Sequence, residues 1–348
     1  MPMDDDRYRT LSVPVPGGSL RVGVWEPVPS ATQPQAAAPT VLLVHGVTAS
    51  HLSWALVADR LPGARVIAPD LRGRGRSSGV AGPAGMAAHA RDLVAVLDAL
   101  GAGDVVVAGH SMGAFVSLVL GDRHPDHVRR VVLVDGGLPL DLPEGLPIDE
   151  VIRLVLGRTA ERLSLRFASI SDYLDHWRAH PAFAGDWSPQ LEAYLAYDLE
   201  GAAPALRPAT TYATLVEDSI DQNTGRDIAD AVDGMRHPTL LLSAERGLLD
   251  QVPALYAAER LPAKIAAVPG LRHRPVAGVN PYTIVLSARG ADAVVAAVQA
   301  ELDAADEDAA TSVEAGATSV EAAATSIEAG ATSVEDPAVT GARRPPAS

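Results

Sequence analysis

The chain has 348 residues; 47% of them are hydrophobic and none is cysteine. That is enough apolar material for one full core and an inserted subdomain, and it excludes a disulfide framework, a thiolate metal site and a cysteine nucleophile. The net charge of −15 is unevenly spread, because ten acidic and two basic residues lie from Glu301 to the C-terminus, leaving −7 for residues 1–300. Neither part has the basic surface of a nucleic-acid binder. The opening MPMDDD lacks a basic start followed by an apolar run, and no stretch is apolar for long enough to span a bilayer. The expectation is a cytoplasmic protein with a small-molecule substrate and no nucleic-acid or membrane partner. Lys264 is the one lysine among 28 basic residues, which reads as genome composition rather than function.

Leu11–Val15 and Leu20–Trp25 read as an opening hairpin around Gly17 and Gly18, followed by a Pro/Ala/Gln loop at 27–39. Apolar, β-branched strands follow at Val41–Val44 and Arg65–Ala68, then an amphipathic helix at 86–100. The strand Val105–Ala108 leads into a helix at 112–121, and Val131–Val134 comes next. From Gly136 to about Arg236 the strand rhythm stops. Helical spacing, prolines and most of the aromatic residues take over, which reads as a helical cap whose aromatics mostly build its own core and in part face the substrate. Strands return at Thr239–Leu242 and Ile265–Val268, and Ala291–Leu302 closes the body as a helix.

Strands alternating with helices predict an α/β fold, a mostly parallel central sheet covered by helices on both faces. The expected organisation is a core of 1–136 and 237–302, a helical cap of 137–236, and a tail of 303–348. In the tail, ATSVEAG, ATSVEAA, ATSIEAG and ATSVED repeat every seven residues and align Val313, Val320, Ile327 and Val334. With one large apolar position per repeat the tail lacks a coiled-coil seam, so it is expected to be disordered and outside the catalytic unit.

The run GHSMG (Gly109 to Gly113) follows an apolar strand and opens a helix, the context that makes G-x-S-x-G specific. Ser111 then occupies a sharp strand-to-helix turn, and the flanking glycines remove side chains that would collide there. With these residues the chain resembles the α/β-hydrolase superfamily over about residues 10–302. The resemblance implies a serine nucleophile at Ser111 and an oxyanion loop at His45-Gly46, with the amides of Val47 and Met112 as oxyanion donors. His45 itself reads as a structural histidine. DLRGRGRS (Asp70 to Ser77) matches the D-x-x-G-x-G-x-S loop of the family, a scaffold feature.

Where the family usually carries its acid, this chain reads SAERGLLD (Ser243 to Asp250), with Gly247 at the aspartate position. A family variant takes the acid from the end of the preceding strand, and VVLVDGG (Val131 to Gly137) supplies Asp135 there. Asp135 is therefore the expected acid, with Glu245 and Asp250 as alternatives. Related sequences carry a loop resembling V-N-H-Y-T-I whose histidine is the base, but this chain has GVNPYTI (Gly278 to Ile284), with Pro281 at the expected-histidine position. Proline cannot accept a proton. His273 is the candidate replacement, expected in the loop after the last strand; His110, His176 and His180 read as structural or exposed.

These residues predict a serine hydrolase acting on an ester, lactone or related acyl bond of a small, largely apolar substrate. The alternative is a catalytically impaired ligand-binding protein of the same fold. An aspartate nucleophile, as an epoxide hydrolase or dehalogenase needs, is absent from position 111. No metal-ligand spacing or nucleotide loop points to a cofactor.

Overall fold

The structure is a computed structural model that describes residues 6–29, 38–141 and 145–331. Residues to Leu302 form one compact unit, and 303–348 form a second. The expected loop at 27–39 falls largely outside the described residues, as do 332–348 of the tail.

In the first unit, strands β1 (Tyr8–Val15), β2 (Gly18–Trp25), β3 (Thr40–Val44), β4 (Arg65–Pro69), β5 (Val105–His110) and β6 (Val128–Val134) precede an insertion. The insertion contains a two-residue pair, β7 (Leu199–Glu200) and β8 (Arg207–Pro208). After it come β9 (Thr239–Ala244) and β10 (Leu271–Val276). Eight strands form one sheet in the order β1-β2-β4-β3-β5-β6-β9-β10. The β1–β2 and β2–β4 pairings are antiparallel, and the other five are parallel.

The helices are α1 (Ala55–Asp59), α2 (Met86–Ala99), α3 (Met112–Arg123), α4 (Ile148–Val155), α5 (Arg158–Glu161) and α6 (Ile170–Arg178), then α7 (Pro189–Tyr197), α8 (Tyr212–Thr224), α9 (Arg226–Asp233), α10 (Leu261–Ala266), α11 (Thr283–Leu286) and α12 (Ala288–Ala331). Alternation along the strands divides the core. Val41, Leu43, Val132 and Val134 face one layer with α1, α11 and the first turns of α12. Leu42, Val44, Val131 and Leu133 face the other, with α2, α3 and α9. Both sheet faces are covered, which is why the parallel strands read as continuous apolar runs.

Three expectations change. Ile265–Val268 is not a strand: Pro262 sits in the first turn of α10, and Ile265 falls in its last turn. The last strand is LRHRPV, an edge strand with a mostly exposed middle, so its sequence carries no apolar run. In the second unit, the described backbone of 303–331 is helical, in the stretch where a disordered tail is expected; its residues are rich in the helix formers Ala and Glu.

Within the insertion, Phe167, Tyr173, Trp177 and Phe183 are buried and meet edge to face. They do not form the separate core expected of that segment but join the buried layer that also holds Trp25, Trp54 and Val41 of the sheet side. The Tyr282 ring joins it at 5.8 Å from Trp177, tying the insertion to the GVNPYTI loop.

Candidate active site

Ser111 sits between β5 and α3 at φ 51°, a left-handed conformation unusual for a residue with a side chain. The turn is enforced from all sides. The Ser111 amide donates to the Val134 carbonyl at 2.9 Å. A Cβ at Gly113 would lie 2.1 Å from the Val44 carbonyl oxygen, and one at Gly109 would lie 2.2 Å from the Gly113 oxygen. Gly136 is as constrained, because a Cβ there would come within 2.2 Å of the Ser111 carbonyl oxygen. Only glycine lets these backbones approach so closely.

The His45–Val47 loop lies against this turn. His45 is buried; its Nδ1 donates to the Gly46 carbonyl (2.8 Å), and its Nε2 accepts the Leu71 amide (2.9 Å). Burial holds its pKa down at about 3, so it is neutral and structural. Met112 opens α3, and its N–H is among the first-turn donors with no intrahelical acceptor.

Arg74, from the DLRGRGRS loop, is fully buried beside both residues. Its Nε donates to the Val47 carbonyl at 2.9 Å, and its Nη2 contacts the Met112 Sδ at 3.7 Å. It also pairs with Asp218 of α8, whose Oδ1 receives the Gly85 amide and lies 3.0 Å from His89 Nε2. The loop is a scaffold feature in the sequence, and its tie to the Val47 carbonyl appears only in the fold. The RGRG run was the available signal.

Asp135 follows β6 at φ 48° and is fully buried. Its amide donates to the Leu242 carbonyl (2.8 Å), and its Oδ1 accepts the Ala244 amide (3.0 Å). The other oxygen, Oδ2, is buried without a hydrogen-bond partner among the described residues. Burial raises the carboxyl pKa to about 7, against a smaller lowering by the Ala244 amide. Ser111, Val47 and Asp135 line one cavity of about 40 Å³. Helices α4 and α8 of the insertion close it with Val151, Ile152, Ser219 and Asn223. Its aromatic lining is Phe115 and Tyr256, both from the core, so among the described residues no aromatic of the insertion faces it.

The other candidates lie elsewhere. Glu245 is exposed and accepts the Gly278 amide (2.7 Å), while Asp250 accepts from the Asn280 side chain (3.2 Å). His273 requires a correction. It lies within β10, not in a loop after it, and its Nε2 contacts Ser243 Oγ at 2.9 Å. Through the register it is level with Gly109, two residues short of Ser111. Three strand spacings, about 14 Å, separate β10 from β5, so His273 is out of reach as a base.

Pro281 is buried at the elbow, where its carbonyl accepts a hydrogen bond from His110 Nε2 at 2.7 Å. That bond places the proton of His110 on Nε2, and burial lowers its pKa to about 4, so the imidazole is neutral. Asn280 anchors the loop on either side, accepting from the Tyr282 and Thr283 amides at 3.0 Å and donating to the Ala182 carbonyl at 2.9 Å. Among the described residues no cluster of three or more His, Asp or Glu is placed to hold a metal, and no helix is long and apolar enough to cross a membrane.

A family model described as alpha/beta hydrolase fold matches residues 39–262. The chain belongs to the α/β-hydrolase family. Over 160 residues it is 38% identical to lipase LipV of Mycobacterium tuberculosis, covering 44% of this chain and 55% of that protein. It is also 38% identical over 117 residues to a 2-hydroxymuconate semialdehyde hydrolase of a Pseudomonas species, covering 30% of this chain and 40% of that one. The chain thus spans about half or less of the length of these relatives. The crystal structure of E-2-(acetamidomethylene)succinate hydrolase matches this α/β-hydrolase with a TM-score of 0.65 at 20% identity, over 85% of this chain and 99% of that one, a likeness of fold.

Proposed function

We propose that this α/β-hydrolase is a serine hydrolase that cleaves an ester, lactone or related acyl bond of a small, largely apolar substrate through Ser111. The observation that carries the reading is the strained turn holding Ser111 at a cavity it shares with Val47 and Asp135. Ser111 Oγ attacks the acyl carbon, and the amides of Val47 and Met112 receive the oxyanion. One such donor is worth about 3–4 kcal/mol of transition-state stabilisation. The start of α3 adds favourable positive potential to the same place.

The apolar preference rests on the surroundings. Leu140, Leu156 and Leu255 line both the Ser111 cavity and an adjoining groove of about 1040 Å³. The cavity itself is too small for a whole substrate. The remainder of the substrate lies in the groove past those three leucines, where Leu248, Leu249, Val252 and Pro253 offer apolar contact beside the charged Asp141, Arg153, Glu161, Glu259 and Arg260. The names of two relatives, a lipase and a semialdehyde hydrolase, support hydrolysis, and the lipase alone supports an ester.

Pro281 favours a second reading, a ligand-binding protein that keeps the pocket without turnover. Short-chain chromogenic esters separate the two when wild type, Ser111→Ala and Pro281→His are compared. The hydrolase reading expects turnover in wild type that disappears in Ser111→Ala. Turnover in Pro281→His alone would establish the binding-protein reading.

A further inference from the structure

The position expected to hold a histidine has none, yet the carboxyl that such a histidine would contact is intact. We propose that Asp135 takes the Ser111 proton itself, through a water in the cavity the two residues share, so that this chain works as a Ser–Asp pair. The proposal rests on the serine-hydrolase reading and supplies its missing base.

Four observations carry it. Oδ1 of Asp135 is fixed by the Ala244 amide, which leaves Oδ2 as the one oxygen without a partner among the described residues. A cavity needs about 10–15 Å³ to hold a water, and this one, at about 40 Å³, has polar partners in Ser111, Asp135, Ser219 and Asn223. The rival bases are weak or distant: His110 donates from Nε2 to the Pro281 carbonyl and keeps Nδ1 without a partner among the described residues, but burial holds its pKa at about 4, and His273 lies on the edge strand. Finally, burial brings the Asp135 carboxyl to about 7, so near neutral pH it can both take and return a proton.

The groups facing Asp135 leave its titration largely its own. From the β5–α3 turn it faces Ser111, and from the segment before α10 it faces Tyr256, whose hydroxyl donates to the Leu138 carbonyl at 2.9 Å and whose pKa burial raises. From β9 it meets the Ala244 amide, and from α8 the uncharged Ser219, Gln222 and Asn223. Among the described residues Asp135 is the only charged group that lines the cavity.

In acylation the Oγ–C bond forms and the carbonyl pair moves to oxygen. The Oγ proton passes to the cavity water as that water gives a proton to Oδ2. Collapse restores the carbonyl and breaks the bond to the leaving alkoxide, which recovers a proton from Asp135 by the same route. A second water then attacks the acyl-enzyme, giving its proton to Asp135, and Ser111 leaves and is reprotonated. Ester and water become acid and alcohol with no other reactant.

The test is the rate of Ser111 labelling by an activated fluorophosphonate, from acidic to mildly alkaline pH, in wild type, Ser111→Ala, Asp135→Asn, His110→Gln and Pro281→His. The proposal expects the wild-type rate to rise about tenfold per pH unit and level off near pH 7. Asp135→Asn should be slower by about 100-fold or more above that pH, and His110→Gln should keep the inflection. If Asp135→Asn does not fold, the wild-type and His110→Gln profiles still decide. A wild-type rate indifferent to pH, an inflection lost in His110→Gln, or labelling of Asp135→Asn at the wild-type rate overturns Asp135 as the base while Ser111 remains the nucleophile. Labelling only in Pro281→His overturns the proposal in favour of the binding-protein reading. No Ser111 labelling in any variant overturns the hydrolase reading as well.

Discussion

Ser111 and Asp135 both adopt positive φ, and Gly136 lies between Asp135 and the turn that carries Ser111. Gly136→Ala would push a methyl into the Ser111 carbonyl. It should leave a folded protein whose labelling by a fluorophosphonate falls by about 100-fold, given how steeply rates depend on placement. Asp135 makes a second prediction, about stability. Its folded pKa, about 7, lies above the ordinary carboxyl value of 3.8, so the native state holds a proton that the unfolded chain releases between those values. The stability it contributes is full below the lower value and is lost as pH rises through about 7. Asp135→Asn should therefore be more stable than wild type above pH 7, by up to a few kcal/mol. The difference should shrink toward pH 4, as urea denaturation at several pH values would read. Ser111 and Asp135 were legible as motifs because each ends an apolar strand. The free Oδ2 was not, because it depends on which oxygen the Ala244 amide, more than a hundred residues away, selects.

At the scale of elements, the loop Asp70–Ser77 joins the insertion to the candidate oxyanion donors. Arg74 holds the Val47 carbonyl and pairs with Asp218 of α8, while Tyr197 of α7 donates to Asp70 Oδ2 at 2.7 Å. If Ser111 acts as proposed, Arg74→Met should lower kcat about 10- to 100-fold with a smaller change in KM, because the displaced groups serve the transition state. Steady-state kinetics on a chromogenic ester checks this, and equal losses in kcat and in folded fraction would contradict it. Sequence patterning found the inner strands, which are buried on both faces, and the opening hairpin, which its glycine turn and β1's alternation mark. It missed β10, whose exposed arginines and His273 give no apolar run, and took Ile265–Val268 as the strand instead. That shift of a few residues is also why His273 was expected in a loop. The replacement of histidine by Pro281, in contrast, was visible without coordinates.

At the scale of the first unit, Glu301 of α12 is buried between Arg130 of β6 and Arg272 of β10, at 3.0 and 2.8 Å. Glu301→Ala would leave Arg130 and Arg272 without this carboxylate, and should cost about 3–5 kcal/mol in a urea titration. The sheet and its helical layers followed from strand and helix periods in the sequence, but the joining of Ser111, Val47 and Asp135 around one cavity is a property of the folded unit. The most direct measurement of its consequence is the intact mass of the full-length chain after exposure to a fluorophosphonate. One adduct per molecule is expected, mapped to Ser111 and absent from Ser111→Ala. An unmodified wild-type mass, or the same adduct on Ser111→Ala, would contradict it.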